Sequence, residues 1–141
     1  MPVLELLERT LTDLDHVRLT NLIRRDLREQ LSSSRAQEIE DTLAACAVVP
    51  ARHVSPDVVT MYSQVLLLDR ASGDQSKLTL CYPAEAEPAA GFVSVLSPLG
   101  WSLLGLSVGQ LARWSTPSGG ERGAEVLALL FQPEASGDYS M

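Results

Sequence analysis

The sequence predicts an α+β protein in which a short antiparallel helical hairpin precedes an antiparallel sheet with one short helix. Up to Pro50 the chain has no glycine, and its apolar residues recur every three or four positions, as on one face of a helix. All 9 glycines follow Pro50, among short apolar runs separated by turn residues, which is typical of antiparallel strands. We therefore expect two domains, at residues 1–49 and 50–141, with the linker between them at residues 47–56.

Two amphipathic helices are predicted in the first half. Thr12 followed by Asp15 predicts the start of the first helix, and Ser34 followed by Gln37 predicts the start of the second. The apolar stripes are Leu19, Ile23, Leu27 and Leu31 on the first helix, and Ala36, Ile39, Leu43 and either Cys46 or Ala47 on the second. Helices joined by a short polar turn fold back on each other, so we expect a coiled-coil hairpin with arms of about 20 to 27 Å. Residues 3–11 are apolar at the same spacing and either extend the first helix or pack separately.

Five strands and one helix are predicted in the second half. The predicted strands are Thr60–Leu68, Leu78–Tyr82, Phe92–Leu96, Leu111–Ser115 and Glu125–Phe131. Ser97 followed by Pro98 matches a helix N-cap with proline in the first helical position. The short helix that they begin covers Leu99 to Leu104 and ends at Gly105.

The charge balance and the absence of long apolar segments limit the class of protein. The 141 residues include 11 Lys+Arg and 18 Asp+Glu, which leaves a formal charge of −7. Binding to nucleic-acid phosphates needs a basic surface, so we expect no direct sequence-specific nucleic-acid binding. The same balance is compatible with a protein that meets a basic protein surface. No apolar run approaches the roughly 20 residues of a membrane span, and no secretory signal is visible. We expect a cytoplasmic protein without a membrane partner, in which Cys46 and Cys81 are reduced and buried.

No catalytic motif stands out, so we expect no enzyme activity, no catalytic residue, no cofactor and no metal site. His16 and His53 fall in different halves, and neither has the spacing of a zinc ligand. Asp26 and Glu29 lie three positions apart on one face of the first helix, near the predicted hairpin tip. They either hold a divalent cation inside a partner's active site or, as we favour, form surface ion pairs with neighbouring arginines.

Short sequence motifs, in a characteristic order over about 80 residues of the second half, resemble those of a known family. The most specific are Ser97-Pro98-Leu99-Gly100 with Leu103-Leu104-Gly105-Leu106, and the tail Gln132-Pro133-Glu134-Ala135 with Gly137-Asp138-Tyr139. They resemble the C-terminal domain of the GreA/GreB transcription elongation factor family, also called Gre transcript-cleavage factors. Within that family the tail is most similar to the short Rnk group, the regulators of nucleoside diphosphate kinase.

The resemblance implies an FKBP-like globular domain that follows the helical hairpin. It also implies that the globular domain docks at the rim of the RNA polymerase secondary channel while the hairpin points inward. The implied docking residues are Ser97 and Pro98, flanked by Leu96 and Leu99. Leu96 occupies a position that is often polar or acidic in Gre factors.

The hairpin departs from the Gre pattern. Asp26-Leu27-Arg28-Glu29 repeats the first spacing of the Gre tip motif D-L-S-E-N-A-E-Y, but the rest of the motif is missing and the arm is short. The resemblance therefore implies a monomeric, non-enzymatic transcription regulator that competes with Gre-type factors without stimulating transcript cleavage. It also implies an effect on nucleoside diphosphate kinase levels.

Two other functions are compatible with the same sequence. The first is a protein-interaction module that acts on another partner, such as nucleoside diphosphate kinase itself. The second is a prolyl isomerase, suggested only by the FKBP-like fold, and a fold alone does not establish a function. We disfavour the isomerase because such pockets are lined by aromatic residues, which make up only 5% of this chain.

Overall fold

The computed structural model describes residues 9–26, 31–116 and 118–139, in two compact units, Met1–Val54 and Ser55–Met141. The α+β class predicted from the sequence is confirmed. The assignment of a hairpin domain to 1–49 and an FKBP-like domain to 50–141 stays a prediction. Among the described residues, no helix combines the length and the apolar character needed to span a membrane.

The first unit contains two helices, α1 (Asp13–Asn21) and α2 (Ser33–Ala45). A π-helical turn, Leu22–Asp26, continues α1. The predicted N-cap of α1 is confirmed, since the Thr12 hydroxyl accepts a hydrogen bond of 3.0 Å from the Asp15 backbone N–H.

The predicted N-cap of α2 is wrong by two residues. Ser32, and not Ser34, caps the helix: its hydroxyl accepts a hydrogen bond of 3.1 Å from the Arg35 backbone N–H. The Ser32 backbone is extended, with φ −63° and ψ 155°, which points its hydroxyl at the free N–H groups of the first turn. Ser34 is already helical, and three consecutive serines offer no local signal that distinguishes the capping one.

The middle of each apolar stripe is buried in the first unit, whereas Leu31, which lies in a bend, and Ala36 are only partly buried. Leu19 and Ile23 from the first stripe and Ile39 and Leu43 from the second are each at most 3% exposed. Leu27 lies outside the described residues. Early residues of the first helix contact late residues of the second, with His16 Nε2 3.1 Å from the carbonyl oxygen of Leu43, as in an antiparallel pair. A coiled-coil supercoil stays a prediction.

A parallel pair of short strands closes the base of this unit. The strands are β1 (Thr10–Thr12) and β2 (Ala47–Val49), with Leu11 opposite Val48. Residues 10–12 therefore do not extend α1, and the start of the predicted linker at 47–49 is a strand. Pairing satisfies part of the backbone groups of both segments, and Leu11 is buried there, a contact between distant residues that local periodicity does not reveal. Residues 3–8 of the apolar N-terminal segment lie outside the described residues.

The second unit is built on a five-stranded sheet. Its strands are β3 (Gln64–Asp69), β4 (Gln75–Cys81), β5 (Phe92–Ser94), β6 (Leu111–Ser115) and β7 (Glu121–Phe131), in the spatial order β5-β4-β3-β7-β6. The first strand of this unit begins at Gln64, four residues later than the predicted start at Thr60. The Thr60 N–H donates to the Ser63 hydroxyl, and Tyr62 adopts a left-handed φ of 66°, so the backbone is not extended there.

The sequence predicted an antiparallel sheet, but one of its strand pairs is parallel. β4, β3, β7 and β6 pair antiparallel, whereas β5 runs parallel to β4. Two 3-10 turns, Pro83–Glu85 and Pro88–Ala90, carry the chain back as far as Thr79 of β4 before β5 begins, and a returning connection of this kind produces parallel pairing.

One short helix, α3 (Pro98–Leu103), packs against the sheet. It contacts the two edge strands, β5 and β6, so it spans one face of the sheet. Trp101 and Leu103 of the helix are buried together with Val65, Leu80 and Val126 of the strands. The position of the helix and its cap were predicted, while the FKBP-like architecture stays a prediction.

Candidate functional site

The loop that joins β5 to α3 holds the predicted docking residues, and we name Leu96–Leu99 the cap loop. Pro98 is exposed, whereas Leu96, Ser97 and Leu99 are partly buried. The loop has no titratable side chain, so a partner would recognise its shape and its apolar surface. The structure therefore brings all four predicted residues together at one corner of the second unit.

Hydrogen bonds on both sides of Ser97 fix the backbone of the cap loop. The Ser97 hydroxyl donates to the carbonyl oxygen of Ser94 at 2.7 Å and accepts from the Gly100 N–H at 3.0 Å. The Ser94 hydroxyl in turn accepts from the Leu96 N–H at 3.1 Å. Because the same hydroxyl caps the helix and ties it to the end of β5, Pro98 is presented in one geometry.

Gly100 supports this arrangement in a way that the sequence analysis missed. A β-carbon at this position would lie 2.0 Å from the carbonyl oxygen of Ser94, which is far inside van der Waals contact. Only glycine allows the first turn of α3 to approach β5 so closely. A glycine inside a short helix costs stability relative to alanine, and that cost was the available signal of a packing role.

The cap loop rests on a buried and chemically inert base. Val95 is fully buried, and Cys81 of β4 pairs with Ser94 of β5. Burial raises the pKa of the Cys81 thiol, and the negative charge of Glu85 raises that pKa further. Cys81 is therefore a neutral thiol at physiological pH, and its Sγ lies 3.5 Å from the carbonyl oxygen of Val93.

The predicted pair at the hairpin tip is not brought together by the described residues. Asp26 ends the π-helical turn, and its side chain lies outside the described part of the chain, as does the whole of Glu29. Arg24, one of the expected ion-pair partners, instead contacts Glu40 of α2, with Nε 3.2 Å from the carboxylate oxygen. Both interpretations of Asp26 and Glu29 stay predictions. The described residues contain no group of three or more His, Cys, Asp or Glu side chains that could hold a metal ion.

The C-terminal tail is a second feature whose role the sequence analysis missed. Gln132 is 4% exposed, and its Nε2 donates to the carbonyl oxygens of Ser55 and Val58 at 2.9 and 2.7 Å. Glu134 is also buried, and its carboxylate accepts a hydrogen bond of 2.7 Å from the Thr60 hydroxyl. The tail thus holds the first residues of the second unit in place through hydrogen bonds. Gln132 and Glu134, which belong to the family-like tail motif, therefore have a structural role.

Comparison with known proteins gives a consistent family. The family model for the C-terminal part of the transcription elongation factors GreA/GreB matches residues 54–130. The regulator of nucleoside diphosphate kinase of Escherichia coli (strain K12) is 37% identical over 130 residues, which cover 92% of this chain and 93% of that protein. The elongation factor GreA of Chelativorans sp. (strain BNC1) is 31% identical, and the match covers 73% of this chain and 65% of that protein.

A solved structure agrees with these matches. The prokaryotic transcription elongation factor GreA/GreB from Nitrosomonas europaea superposes with a TM-score of 0.71 at 30% identity, covering 87% of this chain and 99% of that one. The similarity therefore extends over both halves of the chain. The match to the regulator of nucleoside diphosphate kinase covers nearly the whole length of both proteins. This chain belongs to the GreA/GreB family of transcription factors.

Proposed function

We propose that this protein is a non-enzymatic transcription regulator that binds RNA polymerase at the rim of the secondary channel. Membership of a family of elongation factors supports the class of partner. The observation that carries the proposal is the cap loop, whose exposed Pro98 is held by the Ser97 hydrogen bonds. A loop already fixed in one conformation loses little conformational entropy when it docks.

The contact made by the cap loop is apolar and shape-dependent. Pro98 is its exposed centre, with Leu96 and Leu99 partly exposed on either side. Such a contact is insensitive to salt, because no charged side chain takes part. Ser97 acts by fixing the loop, since its hydroxyl donates its one hydrogen to the Ser94 carbonyl oxygen and accepts from the Gly100 N–H.

The hairpin binds without promoting cleavage of the transcript. Its second helix has 13 residues, which corresponds to a length of about 20 Å. The sequence around Asp26 and Glu29 lacks the rest of the Gre tip motif, including its third acidic residue. The protein therefore occupies the site of Gre-type factors and competes with them. Effects on nucleoside diphosphate kinase, named in the related regulator, follow from altered transcription.

The decisive experiment is equilibrium binding of the labelled full-length protein to core RNA polymerase, with a GreA protein as competitor. We expect saturable binding, displacement by the competitor and a monomer in sedimentation. We also expect no increase in transcript cleavage by stalled complexes. Tight binding without displacement would place the contact elsewhere on the polymerase, and absence of binding at micromolar concentration would refute the proposal.

A matched pair of variants tests the cap loop itself. Pro98→Glu puts a charge at the centre of the contact, while an acidic residue at a helix N-terminus remains compatible with the fold. We expect it to weaken binding by about tenfold or more, the effect of losing a central contact residue. Pro88→Glu is the control, because Pro88 is also exposed and also begins a short helical turn. Equal affinities of the two variants would exclude the cap loop as the docking site.

One alternative has a specific observation in its favour, the name of the related regulator. In that alternative the protein is an interaction module that binds nucleoside diphosphate kinase directly. Binding of the labelled protein to purified nucleoside diphosphate kinase, without binding to polymerase, would support it. The reverse result would leave control of the kinase to transcription.

A further inference from the structure

Tyr62 occupies a backbone conformation that ordinary side chains rarely adopt. It is the third residue of a turn closed by the Ser63 N–H, which donates to the Thr60 carbonyl oxygen at 3.0 Å, and its φ is 66°. Glycine or asparagine is the usual residue at such a position, because a larger side chain is strained there. Among the described residues, Tyr62 is the only one other than glycine with a positive φ. A tyrosine at this strained position indicates that its side chain has a role.

Two contacts hold the Tyr62 side chain in place. Its ring meets the ring of Tyr82 edge to face, with the centroids 5.7 Å apart and an interplanar angle of 66°. Its hydroxyl donates a hydrogen bond of 2.5 Å to the carboxylate of Glu85, an exposed residue. Tyr62 and Tyr82 are both partly exposed. We name these three residues the tyrosine cluster, which is an aromatic surface with a fixed carboxylate beside it.

The tyrosine cluster lies at the same end of the sheet as the cap loop. β4 and β5 run parallel, so their carboxyl ends meet at one edge. The Val95 N–H donates to the carbonyl oxygen of Cys81 at 2.8 Å. Tyr82 and Leu96 are the residues that follow this bonded pair, so their backbones are neighbours. The tyrosine cluster and the cap loop are therefore adjacent parts of one surface.

This end of the second unit contains no basic residue. The four Lys and Arg of residues 55–141 lie elsewhere in the unit, at Arg70, Lys77, Arg113 and Arg122. The nearest along a strand, Lys77, precedes Cys81 by four positions, or about 13 Å. Within the described residues Glu85 forms no ion pair, and its single side-chain hydrogen bond leaves other acceptor sites of the carboxylate open. An exposed carboxylate beside aromatic rings is complementary to a basic side chain of a partner.

We propose that the tyrosine cluster is a second part of the polymerase-docking surface and that it receives an arginine side chain of the polymerase. Because it presupposes the contact at the cap loop, this proposal rests on the proposed function. The guanidinium would pair with Glu85 and lie against the ring of Tyr62, since a planar cation can make both contacts at once. Pro98 would supply the apolar contact beside it. The polymerase segment thus combines an apolar side chain with an adjacent arginine.

Charge argues against two other occupants. A second copy of this chain would bring Glu85 and Glu87 of both copies together, with no basic residue at this end to compensate. The phosphates of a nucleic acid would meet the same repulsion. A purely structural role of the cluster is the remaining alternative. In that case changes in the cluster alter the free energy of unfolding and leave polymerase binding unchanged.

The test is equilibrium binding of the labelled full-length protein and its variants to core RNA polymerase at several salt concentrations. Tyr62→Gly removes the ring and relieves the backbone, so the fold is retained. We expect it to weaken binding at least about fivefold, as the loss of a contact residue does. Tyr62→Asn, which also tolerates a left-handed backbone, should give the same result. Urea unfolding of both variants checks their stability.

Glu85→Gln removes the charge and keeps an acceptor for the Tyr62 hydroxyl. We expect binding about threefold to fivefold weaker at low salt, which is the effect of losing an exposed ion pair. We also expect a smaller dependence on salt, because the cap loop itself carries no charge. Glu121→Gln is the matched control, since it makes the same change at an exposed residue where β7 begins, at the opposite end of the sheet. It should change the affinity less than about twofold.

The outcomes separate this proposal from the polymerase contact itself. If Pro98→Glu weakens binding while Tyr62→Gly and Glu85→Gln bind as the natural protein does, the tyrosine cluster is excluded and the cap loop contact stands. Equal affinities of Glu85→Gln and Glu121→Gln at every salt concentration would exclude the arginine. If the natural protein does not bind polymerase, the proposed function and this proposal both fail. Weaker binding of Tyr62→Gly and Glu85→Gln, with Glu121→Gln unchanged, would support it.

Discussion

Gly100 lies so close to Ser94 that a β-carbon on the glycine would stand 2.0 Å from the serine carbonyl oxygen. The same carbonyl oxygen accepts the hydrogen bond of the Ser97 hydroxyl. In the cap loop, the carbonyl oxygen at the end of β5 thus accepts the Ser97 hydrogen bond and also packs directly against the first turn of α3. Its geometry is set by backbone atoms beneath it and not by the exposed residues that a partner would touch.

Gly100→Ala should destabilise the second unit by about 1–3 kcal/mol, the usual cost of forcing an atom into a packed site. It should also displace Pro98, because the new methyl group pushes the helix away from Ser94. The free energy of unfolding in urea measures the first effect. Gly123→Ala is the control, since a β-carbon there meets its neighbours at ordinary contact distances of 3.6 Å or more. A fully stable Gly100→Ala protein would contradict the packing argument.

Gln132→Ala should lower the free energy of unfolding by about 1–3 kcal/mol, because it removes both hydrogen bonds from the carbonyl oxygens of Ser55 and Val58. Gln132→Glu should cost more at neutral pH, since a carboxylate would face two carbonyl oxygens, and less in acid, where the protonated group can donate. Gln75→Glu, at an exposed position, provides the matched control. Urea unfolding at two pH values measures all three, and equal costs for the two glutamates would exclude the proposed anchor.

Asp69 should stabilise the second unit at neutral pH and lose that effect in acid. Its pKa is lowered mainly by the hydrogen bond from the Ala71 N–H, then by the Arg122 side chain and the Ser72 N–H. Since the folded pKa lies below the unfolded one, the stabilisation is complete above the ordinary aspartate range, about pH 4, and disappears as the pH falls through the folded pKa. Asp69→Asn should therefore have a urea midpoint that depends less on pH than the natural protein.

The control for Asp69 is Asp74→Asn, which changes an exposed carboxylate in the same turn region. Its urea midpoint should follow the pH dependence of the natural protein. If the natural protein and Asp69→Asn lose the same stability between neutral pH and acid, the contacts of the Asp69 carboxylate with Ala71, Ser72 and Arg122 have no part in the stability of the sheet.

The two thiols should react slowly with alkylating reagents. Burial raises the pKa of Cys46, and the nearby Arg9 guanidinium only partly opposes this effect, while Cys46 Sγ donates to the carbonyl oxygen of Thr42 at 3.1 Å. Cys81 is 1% exposed. In Cys46→Ser protein, alkylation of Cys81 at neutral pH should be at least about tenfold slower than in urea. Cys81→Ser reports on Cys46 in the same assay. Equal rates in native and unfolded protein would show that these sites are open.

Much of the local structure followed from the sequence because its causes lie within a few residues. Ser97-Pro98 predicted the cap of α3, since a capping hydroxyl acts on an N–H three positions on. The same reasoning failed at the start of α2, where three consecutive serines can each act as the cap and the fold of the hairpin selected Ser32. The parallel pairing of β1 with β2 joins residues 10–12 to residues 47–49, and no local pattern records it.

The candidate site divides in the same way. Its exposed residues were predicted from the sequence motif Leu96–Leu99. The packing beneath them depends on how closely Gly100 of α3 approaches Ser94 of β5. The hydrogen bonds of Gln132 reach far along the chain, because Ser55 precedes it by 77 positions and Val58 by 74.

By itself, the sequence determined the α+β class, the two helical stripes, the capped helix and the family, because capping, periodicity and ordered motifs are properties of neighbouring residues. Only the tertiary structure decided the parallel strands, the close approach at Gly100 and the buried tail. These depend on contacts between residues far apart in the chain, whose free energy is set by packing and not by local preference.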